Sequence, residues 1–300
     1  MKALLKISAA LAVILATFLL SDFIFGLVAD GFTQRRGLTK QQYFLSSRED
    51  YDLIFLGSSR ANHHYDTPYI ADSLGIRAFN AGQDGRGLSY QYPLLKAYLS
   101  HHKPRLVVLE MHLALDGARN GRIALLYPLA EKYEEIGEAA ELLDPANKLY
   151  LRSALYRYNS NLVYEARGIL HPYSNVSLGY DPLPPKKVPE DMLKEEKRYW
   201  FPSEIDPTEC RMLENIISLC KDRDIPLVGV ISPVYERVWR TAVIDSILQA
   251  NHIPLIDNSA YRLPLDAPEY FRDEMHLNAV GAREYTKYFM RQIADTLRLI

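Results

Sequence analysis

Residues 51–65 read Y-D-L-I-F-L-G-S-S-R-A-N-H-H-Y, and the first half of that stretch decides the fold. The apolar run Leu53-Ile54-Phe55-Leu56 stops abruptly at Gly57-Ser58-Ser59. A short continuous apolar run bounded by small residues is the pattern of a strand buried on both faces of a parallel sheet. In α/β proteins, reactive groups sit in the turn at the carboxyl end of such a strand. A serine held there by rigid backbone suits a nucleophile, and the same serine also serves as a simple helix cap or turn former.

The chain on either side repeats the rhythm. Asp66 to Leu74 reads as a helix with Thr67-Pro68 near its start and Gly75 after its end. Ile76 to Phe79 then reads as a second strand, closed by a second small-residue turn, Asn80-Ala81-Gly82, with Gly85 and Gly87 beyond it. Leu88, Tyr92, Leu95 and Leu99 recur at helical spacing over 88–101, and Pro104 leads into the buried strand Leu106 to Leu109. Two helical crossovers by this point imply parallel pairing. Further on, Asp206-Pro207-Thr208-Glu209 combines a cap acceptor, a first-turn proline and a glutamate three residues after the cap, which is a helix start. Its buried face is Cys210, Leu213, Ile216, Ile217 and Cys220. Leu227 to Ile231 is a fourth strand closed by Ser232-Pro233, Trp239 to Ala250 a helix, and Ile253 to Ile256 a fifth strand. Asn278 is placed to cap a last helix with the stripe Tyr285, Phe289, Ile293 and Leu297.

Residues 115–200 break this rhythm and read as a mostly helical insertion or cap over the strand ends. Its helical pieces are 123–143 and 146–170, followed by an irregular run with Pro182, Pro184, Pro185, Lys186, Lys187 and Pro189. Tyr150, Tyr156, Tyr158, Tyr164, Tyr173 and Tyr180 suit either sugar stacking, an acyl groove or ordinary half-buried packing.

The amino terminus is different again. After Lys2 and Lys6, the run 7–29 is apolar except for Ser8, Thr17, Ser21 and Asp22. Roughly 20 such residues cross a bilayer core. The run is long for a signal peptide, and Leu27 two residues before Ala29 makes a poor cleavage site, so 1–29 reads as an uncleaved anchor. Lys2 and Lys6 nearly balance Arg35, Arg36 and Lys40 across the span, and the usual signal-anchor outcome puts the amino terminus inside and the domain outside. Asp22 is costly at a bilayer centre, so it belongs near the outer interface or against a partner helix. Residues 30–50, polar with two glycines, read as a tether to an α/β domain at 51–300.

Composition agrees with a globular domain: 48% hydrophobic and 24% charged residues over 300 positions can bury a full core. A formal net charge of -2 offers nucleic acid no basic face. Cys210 and Cys220 fall on one helix, about 15 Å apart along its axis, beyond disulfide reach. The eight histidines include no His-Glu-x-x-His pair and no Cys/His pairing, so neither a metal nor any other cofactor is expected.

Arg272-Asp273-Glu274-Met275-His276-Leu277-Asn278 places an acid three residues before a histidine, just ahead of the last helix. With Gly57-Ser58-Ser59 and Asn80-Ala81-Gly82 upstream, the chain resembles the SGNH (GDSL-like) hydrolases in the order, spacing and strand-end placement of its motifs. The outline covers roughly Asp52 to Arg291, with nothing comparable for the insertion. The resemblance implies a flavodoxin-like three-layer α/β fold, with Ser59 as nucleophile, His276 as base and Asp273 as the group that orients it. Ser58 stands where the family has aspartate. Gly82 matches a backbone oxyanion donor. After the third strand, where the family has an asparagine, the chain reads Glu110-Met111-His112-Leu113-Ala114. Either two backbone donors suffice, or Asn62 or His112 substitutes, or turnover is weak.

The function so implied is a membrane-anchored serine esterase on the periplasmic or extracellular side, acting on acyl esters, foremost O-acetyl esters of an envelope or extracellular carbohydrate. Acyl transfer to an envelope polymer uses the same triad and would need a separate multi-span membrane partner. A binding or assembly protein that keeps the fold without turnover is the rival from another class.

Overall fold

The structure, a computed structural model, describes residues 1–33, 39–48, 50–111, 122–159, 161–185, 205–235, 242–259 and 268–294. In chain order, α1 (Lys2–Thr33) and α2 (Lys40–Leu45) precede β1 (Leu53–Leu56), α3 (Ser59–His64), α4 (Thr67–Leu74) and β2 (Ala78–Asn80). There follow α5 (Leu88–Leu99), β3 (Leu106–Glu110), a 3₁₀ segment (Arg122–Leu129), α6 (Glu134–Leu143), α7 (Asn147–Tyr150), α8 (Ala154–Tyr158) and α9 (Leu162–Leu170). The chain closes with α10 (Pro207–Lys221), β4 (Leu227–Ile231), α11 (Ala242–Ala250), β5 (Leu255–Asp257) and α12 (Ala279–Gln292).

These elements form two compact units, 1–46 with 123–173 and 47–122 with 174–300. The second unit holds a five-stranded parallel sheet in the order β2-β1-β3-β4-β5. That is the flavodoxin-like order, with its switch point between β1 and β3. Leu53 and Phe55 point to one face and join Leu106, Val108, Val228 and Val230 in a cluster sealed by Ile70 of α4, Tyr285 and Phe289 of α12, and Ile293 just after it. Ile54, Leu56, Val107 and Leu109 alternate to the opposite face and are equally buried. Burial on both faces is why these strands read as unbroken apolar runs.

Local chemistry sets the element ends. Asp66 accepts from Tyr69 N–H at the start of α4, and Gly75 closes that helix in the left-handed region at φ 66°. The chain then needs residues 75–77 to reach the sheet, so β2 is Ala78–Asn80, later than the run Ile76 to Phe79 suggests. β5 likewise begins at Leu255, because Ile253 N–H donates to Leu248 O and completes the end of α11. Asp206 caps α10 through Thr208 N–H. Glu209 does not complete a capping box there: its carboxylate accepts from Leu88 N–H and Ser89 N–H, serving the start of α5 instead. Gly87 permits this, since a Cβ there would come within 2.7 Å of Glu209 Oε2.

In the first unit, α1 is long and apolar enough to cross a membrane, and its side chains from Leu4 to Leu20 are exposed. The segment expected as a tether includes the end of α1 and all of α2, together with residues outside the described ones. Thr39 and Gln42 form a capping box at α2, which buries Phe44 and Leu45. The helical piece expected over 146–170 is three helices, because Ser153 breaks the run to cap α8 through Tyr156 N–H and Asn161 precedes α9. Of the tyrosines in this unit, Tyr158 O–H donates to Asp30, Tyr164 O–H to Gln41 and Tyr156 O–H to Asn147, so these three are tied to packing contacts.

Glu165 on α9 is buried, accepts from Gln42 Nε2 at 3.2 Å, and burial pushes its carboxyl up to about 7 from the usual 4.5. A raised folded value means that stability is full below pH 4.5 and falls as pH rises through about 7. Glu165→Gln is therefore expected to leave the melting temperature unchanged near pH 4 and to raise it at pH 8. Thermal melts of the two proteins across that range check this, with an upper bound of roughly 3 kcal/mol on the gain.

Candidate active site

The turn after β1 admits only glycine at position 57. Its φ is 142°, and a Cβ would come within 2.8 Å of Glu110 Cβ and 2.9 Å of Ala61 Cβ. Gly57 O accepts from Gln91 Nε2 at 2.7 Å and from Gln83 N–H at 3.0 Å, which pins the turn from two sides. The chain then enters α3 with Ser58 at the cap and Ser59 as first residue. Ser59 thus lies at the carboxyl end of β1, beside the switch point of the sheet.

His276 lies in the loop 271–278 ahead of α12, closed at its base by a bridge between Phe271 and Leu277. Asp273 Oδ1 accepts from Met275 N–H at 2.8 Å and His276 N–H at 2.9 Å, which winds the Asp-x-x-His spacing into one tight turn. The same carboxylate faces His276 Nδ1 at 2.9 Å, and His276 Nε2 stands 2.8 Å from Ser59 Oγ. A carboxylate can only accept, so the ring proton is on Nδ1 and Nε2 accepts the serine hydroxyl. Burial pushes the Asp273 carboxyl up, but hydrogen bonds from the His276 ring and the two backbone N–H groups outweigh it and hold the group below its usual 3.8. Asp273 is thereby kept as the ionised partner this tautomer needs.

Strand order decides the fold. The chain is a parallel α/β sheet of flavodoxin-like order. Solved structures with a related outline include a family 3 carbohydrate esterase of Clostridium thermocellum, at 11% identity over 84% of this chain and 98% of that chain, with a TM-score of 0.40. Another is a GDSL-like lipase of Bacteroides thetaiotaomicron VPI-5482, at 15% identity over 81% and 88%, with a TM-score of 0.36. No family model and no curated protein matches the sequence.

Of the two adjacent serines, Ser59 places its Oγ at His276. Gly82 lies against the start of α3, where a Cβ would come within 2.6 Å of Asn62 N, and its N–H donates to Asn80 Oδ1 at 3.1 Å. Asn62 turns its side-chain amide to Asp84 Oδ1 at 2.8 Å. His112 lies outside the described residues.

Three features escaped the sequence reading. Asn80, at the end of β2, sends Nδ2 to Ala61 O at 2.6 Å and Tyr65 O at 3.2 Å, clamping α3 from below. Second, a fully buried polar network underlies the serine. Arg60 Nη2 donates to Ser232 Oγ at 2.8 Å, Glu110 Oε1 lies 3.9 Å from Arg60 Nε, and Tyr65 O–H donates to Glu110 Oε2 at 2.8 Å. Ser232 N–H donates to the same carboxylate at 3.2 Å. His64 joins the network to the loop: Leu277 N–H donates to its Nε2 at 3.0 Å, and its Nδ1 meets Ser232 Oγ at 2.8 Å. The backbone donor fixes His64 as the neutral Nδ1–H tautomer. Nothing in the letters Arg-Ala-Asn-His-His distinguishes these buried groups from a solvated helix start.

Third, His63 packs edge-on to His276 at 5.8 Å and turns both ring nitrogens to acceptors, Asp181 O at 2.6 Å and Asp84 Oδ2 at 3.2 Å. Among the described residues, His63, Asp84 and Asp181 form the one cluster with metal-ligand spacing, and both His63 nitrogens are already hydrogen-bonded in it.

Two measurements follow. His64→Leu leaves Leu277 N–H unsatisfied, so it is expected to cost roughly 1–3 kcal/mol in denaturant unfolding. By loosening His276, it should also slow Ser59 labelling by up to about 100-fold. Burial lowers the His63 value, and its bonds to Asp84 and Asp181 outweigh that and raise it above 6.5. The stabilisation so gained is present below pH 6.5 and is lost as pH rises through the raised folded value. Asp84→Asn is expected to bring the His63 titration down, as read by NMR of the ring protons.

Proposed function

We propose that the protein is a serine esterase that cleaves acyl esters through an acyl-enzyme. The observation that carries this reading is the chain of contacts Asp273 to His276 to Ser59, at 2.9 Å and 2.8 Å, at the carboxyl end of the central strands. In the first step Ser59 Oγ attacks the ester carbonyl while His276 Nε2 takes its proton, and Asp273 stabilises the imidazolium that forms. The alcohol leaves with that proton, and water repeats the sequence to release the acid. Ser59 N–H lies in the first turn of α3, where backbone donors lack helical partners, and so suits the oxyanion. Gly82 N–H joins it only by exchanging its bond to Asn80.

The anchor and its sidedness belong to the same proposal: α1 crosses the membrane and the α/β unit faces the periplasm or the extracellular space. There the substrate is an O-acyl ester, foremost O-acetyl, of an envelope or extracellular carbohydrate, a reading that follows the sequence resemblance.

The test is fluorophosphonate labelling of the full-length protein in detergent. Wild type and Ser58→Ala are expected to label, Ser59→Ala to give none, and His276→Ala to be slower by about 10⁴-fold. A folded wild type that does not label overturns the triad reading and moves a binding role to first place.

A further inference from the structure

Helix α9 is built inside out. Its inward positions are Asn161, Glu165 and Gly168, all buried, while Leu162, Val163, Ile169 and Leu170 are 50%, 84%, 42% and 74% exposed. At 3.6 residues per turn these four, with Ala166 among them, fall within an arc of about 120° on the outer side. Leu149 and Tyr150 of α7 and Leu155 of α8 are also exposed. A water-facing helix shows the reverse arrangement, and an apolar face turned outward in this way is the mark of an interaction surface.

The same unit holds α1. It docks on α8 by a stripe at helical spacing. Asp22 accepts from Ser153 Oγ at 2.8 Å, Ala154 N–H at 3.2 Å and Leu155 N–H at 2.7 Å, so it caps α8. Phe25 meets the Tyr158 ring edge-on at 5.7 Å, Gly26 lies against Ala154, and Asp30 accepts from Arg157 and from Tyr158 O–H. Ahead of that stripe, α1 is apolar and exposed from Leu4 to Leu20. That length is about 25 Å at 1.5 Å per residue, close to a hydrocarbon core of roughly 30 Å. A bilayer around the bare part of α1 therefore ends near Asp22, at the level where α8 begins and Leu155 emerges. Lys148 of α7, Arg167 of α9 and Arg152 between α7 and α8 are exposed, the residue type that faces anionic headgroups.

We propose that the outward faces of α7, α8 and α9 rest in the headgroup-to-acyl boundary of the bilayer that α1 crosses, so that anchor and inserted helices form one membrane-seated unit. This rests on the reading of α1 as a span. Asp22, the one acid in the apolar run, is then the joint between the vertical and the horizontal parts, its charge satisfied by the amino end of α8.

The test uses the full-length chain with Cys210→Ser, carrying single substitutions Leu15→Cys, Val163→Cys, Leu170→Cys or Glu134→Cys. Each is labelled with an environment-sensitive fluorophore and reconstituted in phosphatidylcholine–phosphatidylglycerol vesicles. Quenchers are lipids with a nitroxide near the headgroup or near the chain end, and aqueous iodide. The proposal expects labels at 163 and 170 to be quenched several-fold more by the shallow nitroxide than by the deep one and to be shielded from iodide. The Leu15→Cys label should answer to the deep nitroxide and the Glu134→Cys label to iodide alone. Deep quenching at 15 with iodide access at 163 and 170 overturns the surface and spares the anchor. Shielding of 163 and 170 from every quencher, with cross-linking between copies through them, assigns the face to a second chain and overturns the proposal as well. Iodide access at 15 removes the anchor itself, and with it the basis of this inference.

Discussion

A buried guanidinium sits one residue past the proposed nucleophile, and much of the site is arranged around it. Arg60 is 1% exposed, and burial lowers its affinity for its proton. A charge in that position needs a counter-charge and acceptors. Glu110 from the end of β3 supplies the first, and Ser232 and Pro233 from the end of β4 supply the second. Three elements that are distant in sequence are thereby held at one point under Ser59. Once Ser232 is fixed, His64 is oriented, and His64 in turn holds the backbone next to His276. Ser59 and His276, the proposed nucleophile and base, lie over two hundred residues apart and are positioned by the same buried polar cluster.

Glu110 also bears on the missing asparagine. At the end of β3, where the family resemblance leads one to expect a substrate-facing group further along, this chain turns a carboxylate inward. Tyr65 and Ser232 occupy that carboxylate's oxygens, so Glu110 stabilises the frame and not the oxyanion. For the proposed reaction, the first turn of α3 offers a backbone donor at Ser59 N–H. Such donors are fixed before substrate arrives and cost no reorganisation.

The two units divide the chemistry. The α/β unit concentrates its polar side chains at strand ends and buries apolar runs beneath them. The other unit spends its polar side chains inward, with Asp22, Asp30, Arg157, Glu165 and Gln42 hydrogen-bonded within it, and leaves leucines and valines outside. That inversion makes sense beside an apolar helix such as α1, and explains why an acid is tolerated within the apolar run.

The sequence by itself determined the period of the chain: buried strands, helices between them, the caps at Asp206 and Asn278, a serine at a strand end and an Asp-x-x-His spacing before the last helix. These are legible because they depend on near neighbours, through alternation, capping and tight-turn spacing. The apolar run at the amino terminus was legible for the same reason. Tertiary structure alone decided which serine meets His276, that Glu209 serves α5 and not its own helix, that Asn62 faces Asp84, and that Asp22 caps α8. It also showed α9 to be turned outward, although its letters carry an ordinary amphipathic pattern. Each of these depends on a partner far along the chain. A polar side chain's role is set by which donor or acceptor the fold brings within about 3 Å, and that distance is not written in the order of residues.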